Sequence, residues 1–102
     1  MHAVVNRLRF AQKVPPELFR RVETELGSTI AGFPGFHRLY VVQVSPEDVV
    51  LVILAEQEQT LNDLATALGN TWMREHVAPL LERPPERLIG PVIAELEGQT
   101  AQ

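Results

Sequence analysis

Asn6, Trp72 and His76 are the side chains of this 102-residue chain whose types and spacing could do chemistry together. Asn6 interrupts an alternating apolar stretch, Val4-Val5-Asn6-Arg7-Leu8-Arg9-Phe10, so its amide projects from a strand beside Val4, Leu8 and Phe10. An amide in apolar surroundings costs free energy unless it finds partners. It either bonds a neighbouring loop or water, or it addresses a ligand. Trp72 and His76 are four residues apart and share one helix face. The indole offers a flat apolar wall with one N–H; the imidazole offers a base, a donor, or a ligand for a metal or haem iron. The competing assignment is structural: a core tryptophan, and a histidine favoured by the negative end of a helix dipole. Arg38 and Tyr40 share a strand face with Phe36, Val42 and Val44, where a guanidinium could pair with an anion and a phenol could bond a substrate. Equally, Arg38 could bond across a dimer while the Tyr40 hydroxyl stays in water. Phe10 adds an apolar surface on the side of Asn6. Paired catalytic carboxylates, a nucleophile elbow, a phosphate loop and a dinucleotide fingerprint are all absent from the sequence, and Gly27, Gly32 and Gly35 have the wrong spacing for the last.

The elements that must position these groups follow from periodicity. Residues 3–10 alternate as a strand. Pro15-Pro16 stops it and can open a helix, because the missing N–H costs nothing in a first turn. Leu18, Phe19, Val22, Leu26 and Ile30 recur at helical spacing up to Gly32. Phe36 to Val44 and Val49 to Glu56 read as two strands, joined by the Ser45-Pro46-Glu47-Asp48 turn and therefore antiparallel neighbours. Val49 to Leu54 is apolar without a break, which predicts a strand covered on both faces: by helices on one side and by a partner subunit on the other. Thr60 is expected to cap a helix with the stripe Leu61, Leu64, Ala65 and Leu68, with Asp63 as capping-box partner. Gly69-Asn70 is expected to end it. A short helix from Thr71 carries Trp72 and His76 and bends at Pro79. Leu88 to Leu96 is the expected last strand, and the tail 98–102 is expected to fray. The order βαββαβ predicts a ferredoxin-like α+β fold: a four-stranded antiparallel sheet with helices on one face.

Composition narrows the function. The chain is 45% hydrophobic, enough for one domain with one core (residues 1–102, ordered over about 3–96), and so short that association with a second copy would help it. Thirteen acidic residues against nine basic ones give a formal charge of −4, which argues against a nucleic-acid partner. No cysteine is available for a disulfide, a thiolate nucleophile or a zinc site. The longest apolar run is too short to span a bilayer, and no signal peptide is read at the N-terminus, so a cytoplasmic protein without a membrane partner is expected.

With these residues in place, the chain resembles the antibiotic biosynthesis monooxygenase-like family of dimeric α/β barrels. The resemblance runs over about residues 3–96. It rests on Val5-Asn6-Arg7-Leu8, on Pro34-Gly35-Phe36 between the first helix and second strand, on the helical stretch leading to His76, and on Gly90-Pro91-Val92-Ile93. It implies a homodimer formed through the sheet face. It also implies a cleft between sheet and helices where a cofactor-independent oxygenase acts on an aromatic or other apolar substrate: Asn6 would hold an oxyanion, His76 would take a proton and Trp72 would form the wall. Tyr40, Arg38 and Phe10 would contact substrate. The same family contains haem-degrading enzymes in which a strand-one Asn and a helical His frame the haem. In that alternative His76 ligates iron and Asn6 is the distal donor. Thr66 and its neighbours stand where those enzymes place a tryptophan, and Ala55-Glu56 replaces another at the end of the third strand. A third reading is a non-catalytic dimeric module that binds a small apolar ligand.

Overall fold

A computed structural model describes residues 1–98. Four strands, β1 (His2–Arg9), β2 (Phe36–Ser45), β3 (Asp48–Ala55) and β4 (Glu86–Pro91), form one antiparallel sheet in the order β2-β3-β1-β4. Helix α1 is a wide π-type stretch, Val22–Leu26, continuing into a regular turn, Gly27–Ala31. Helix α2 (Glu58–Leu68) runs into α3 (Gly69–Val77), again of π type, and a 3₁₀ turn at Ala78–Leu80. This is the expected ferredoxin-like arrangement. Among the described residues no helix is long and apolar enough to cross a membrane.

Register decides which side chains meet the helices. Opposite residues in an antiparallel ladder share a face. One such row is Arg87–Asn6–Leu51–Val41, and the next is Ile89–Val4–Ile53–Leu39. These rows, with Leu8 and Val49, lie under the helices. The main core joins Leu8, Phe10, Leu18, Val49, Leu51, Trp72 and Val77; a smaller cluster joins Val4, Ala55 and Leu61. Each such Val, Leu or Phe contributes roughly 1.5–3 kcal/mol by leaving water. The opposite face carries Leu88–Val5–Val52–Tyr40 and, beside them, Leu54, Val50 and Val42.

Local chemistry fixes the connections. The Ser45 hydroxyl accepts the Glu47 and Asp48 N–H groups at 3.3 and 3.1 Å and donates to Asp48 at 2.7 Å, closing the β2–β3 hairpin. That bond, more than the adjacent Arg9, holds the Asp48 carboxyl below its usual range, while partial burial opposes the shift. Gly35 has φ +83°, and a Cβ there would stand 3.0 Å from Thr60 Oγ1, so only glycine makes this turn without strain.

Several boundaries differ from the sequence reading. The chain after Pro15-Pro16 forms turns over 16–19, and helical structure begins only at Arg20, leading into Val22–Leu26. Helix α2 starts at Glu58 after an extended Gln57, and Asp63 accepts a bond from Gln59 Nε2 at 2.9 Å instead of completing a capping box. Gly69 keeps helical angles, so α2 and α3 are continuous through the expected break. The last strand is Glu86–Pro91, not Leu88–Leu96. Of the tail expected to fray, residues 99–102 lie outside the described residues.

Candidate functional site

Between the sheet and the helices lies a cavity of about 480 Å³. Its floor is the sheet, with Val4, Asn6, Leu51 and Ile53 at the centre; α1 closes one side with Val22, Leu26 and Ile30; α2 and α3 close the other with Leu61, Leu64, Trp72, Met73 and Val77. Its size falls within the usual range for a small-molecule site, and its lining is overwhelmingly apolar. Among the described residues the polar side chains that border it are few: the Asn6 amide, Trp72, Arg74 and Arg87.

Asn6 reaches the cavity because the period-two alternation of β1 puts it on the side of Val4 and Leu8. Its cross-strand neighbours there are Leu51 and Arg87. No side-chain hydrogen bond of Asn6 is seen among the described residues, so its amide is free to address a ligand. Trp72 is 6% exposed and forms a wall. Its indole N–H donates to Glu25 Oε1 at 3.3 Å, and the Arg21 guanidinium lies 6.0 Å from the ring centroid. Arg21 also pairs with Glu25 one turn along α1. That charged hydrogen bond, helped by the Trp72 N–H and opposed by partial burial, lowers the Glu25 pKa from its ordinary value. Glu25 and Arg21 therefore pin the indole plane from α1. The sequence singles out neither, because their contact with Trp72 depends on how this helix docks.

The other expected site residues lie elsewhere. His76 does not border the cavity: its ring packs on Trp72 at 5.3 Å between centroids, and its Nε2 is 3.9 Å from Glu75. It is brought beside Trp72 but not beside Asn6. Arg38 and Tyr40 are on the opposite face of the sheet. A β-bulge between Phe36 and Arg38 absorbs His37, so Phe36, Leu39 and Val41 face the cavity while Arg38, Tyr40 and Val42 face away; the shared face read from simple alternation is corrected by that one extra residue. Phe10 is 2% exposed and packs edge-on against Phe19 at 6.2 Å, one layer behind the lining. Among the described residues, no group of three or more His, Asp or Glu side chains is placed to hold a metal. In the haem alternative the iron ligand would be His76, which packs beside the cavity wall on Trp72.

No family model and no curated protein matches the sequence. Comparison of the fold is informative. A putative antibiotic biosynthesis monooxygenase from Nitrosomonas europaea superposes with a TM-score of 0.70 at 14% identity, covering 92% of this chain and 100% of that one. SnoaB, a cofactor-independent oxygenase from Streptomyces nogalater, superposes with a TM-score of 0.72 at 16% identity, covering 95% and 97%. MhuD, solved as a variant with two manganese protoporphyrin IX molecules per active site, gives 0.63 at 15% identity, covering 96% and 100%. The chain thus has the antibiotic biosynthesis monooxygenase-like fold, as its sequence resemblance implied. That fold is seen here in a cofactor-independent oxygenase and in a porphyrin-binding protein alike.

Proposed function

We propose that this protein is a small cofactor-independent oxygenase that takes an aromatic, phenol-type substrate into the cavity between sheet and helices. The observation that carries this reading is the pairing, in one apolar cavity, of an unengaged Asn6 amide with a fixed indole wall at Trp72. Trp72 stacks the ring system. The Asn6 N–H donates to the substrate oxygen and favours its anion, the proton passing to water. The carbanion form of that anion transfers an electron to dioxygen and forms a C–O bond. Loss of water from the resulting hydroperoxide gives a quinone, so one oxygen atom enters the product and the other leaves as water. His76 packs on Trp72 outside the cavity lining, so in this reading water and not His76 takes the proton. The test is oxygen uptake by chelator-treated protein with anthrone, which becomes anthraquinone and water for each O₂ consumed. Uptake above the buffer rate supports the proposal; uptake that requires added haemin refutes it.

The working unit in this proposal is a homodimer joined through the sheet. Tyr40, Val42, Val44 and Leu88 are 47%, 47%, 64% and 55% exposed on β2 and β4, an apolar surface of the kind that marks an association site. Val52 lies in the middle of that face, between Val5 and Tyr40. Val52→Asp is expected to give a monomer by sedimentation velocity where the parent protein is a dimer. A variant that sediments like the parent would place the interface elsewhere.

A further inference from the structure

We propose that the cavity selects a ring ligand bearing a carboxylate, recognised by Arg74 and Arg87. This deepens the oxygenase reading and rests on it for the identity of the site. Among the described residues, Arg74 from α3 and Arg87 from β4 are the only charged side chains that border the cavity, and no Asp or Glu does. The bias is notable in a chain with a net charge of −4. Three other arginines are matched by carboxylates, Arg7 by Glu86, Arg9 by Asp48 and Glu82, and Arg21 by Glu25, whereas no ion pair of Arg74 or Arg87 is seen among the described residues. Arg87 is held by a neutral partner. Its Nη2 donates to the neutral Asn62 Oδ1 at 3.1 Å, a bond that orients the guanidinium without cancelling its charge. Its cross-strand neighbour is Asn6, so the two side chains leave adjacent strands on the cavity face, and the exposed guanidinium stands at the rim.

Physical chemistry says what such an arrangement prefers. A guanidinium offers paired donors that match the two oxygens of a carboxylate. Water screens the pair less when one wall of the site is apolar. An apolar body satisfies the lining, and a permanent anion satisfies the two cations. A neutral ring ligand gains nothing from either arginine, both of which stay exposed at the rim.

The experiment is isothermal titration calorimetry of the full chain with 2-naphthoate and with the neutral 2-naphthalenemethanol at low ionic strength, reading the ratio of the two affinities. The expected ratio is at least ten in favour of the carboxylate, shrinking as salt is added. In Arg74→Gln/Arg87→Gln the ratio is expected to fall to about one, and Arg87→Lys is expected to restore part of the preference over Arg87→Gln. Because the readout is a ratio, a general loss of active protein does not imitate the result. Equal affinities in the parent protein, no naphthoate binding, or an unchanged ratio in the double glutamine variant each overturn the proposal. None of these outcomes touches the oxygenase reading, which is judged separately by anthrone-dependent oxygen uptake.

Discussion

Trp72→Ala is expected to destabilise the chain by about 3–5 kcal/mol, the range for emptying a buried aromatic site. Trp72 is 6% exposed and belongs to the main core with Leu8, Phe10, Val49 and Val77. Its removal enlarges a cavity that already exists, so collapse recovers little of the lost contact. It also strips Glu25 of the indole N–H. A domain of this size has only about 5–15 kcal/mol of stability to lose. Trp72→Phe should recover most of the loss, because it restores an aromatic wall and forfeits only the Glu25 bond and part of the ring. Far-UV circular dichroism in urea is the appropriate measurement, since Trp72 is the only tryptophan and its fluorescence vanishes with it. An alanine variant that unfolds at the parent's urea midpoint would show that the indole is not part of the core.

Asn6→Leu is expected to separate function from stability. The amide sits on an apolar face, and its bonds are not supplied by the described residues. Replacing it by an apolar side chain of similar size should be neutral or stabilise by up to about 1 kcal/mol. Catalysis should fall by about a hundredfold or more, as when a single oxyanion donor is removed from other enzymes. A structural amide would behave in the opposite way, losing stability and leaving turnover in the molecules that stay folded.

The reach of the sequence is clearest on β1 and β3. Strict alternation in β1 placed Asn6 with Val4 and Leu8, and the structure keeps them on one face. The unbroken run of β3 predicts a strand covered on both faces, and the helices cover one of them, where Val49 and Leu51 are buried. Where the reading failed, the deciding interaction was non-local or the signal was one residue wide. The bulge at His37 reverses the faces of Phe36 and Tyr40, and nothing in a β-branched, aromatic stretch announces it. Gly69 looks like a helix stop, yet Trp72 and Val77 are buried against the sheet core, and that packing outweighs the cost of a helical glycine of roughly 1 kcal/mol. Nothing in the sequence distinguishes Arg74 or Arg87, and only the pairing of β4 with β1 sets Arg87 across from Asn6. Glu25 and Arg21 acquire their role only when α1 meets Trp72. Long-range register and helix docking, rather than residue type, assemble the polar part of the site.

The central claim is that Asn6, facing the apolar cavity, supports oxygen chemistry without a bound cofactor. Its most direct test is oxygen uptake by chelator-treated parent protein and Asn6→Leu, with anthrone carrying and lacking a ring carboxylate, beside urea unfolding of both proteins. The predicted result is uptake above the buffer rate in the parent, a fall of about a hundredfold in Asn6→Leu, and an unfolding midpoint at least as high in the variant. No uptake by the parent with either compound, or equal uptake by the two proteins, would contradict it.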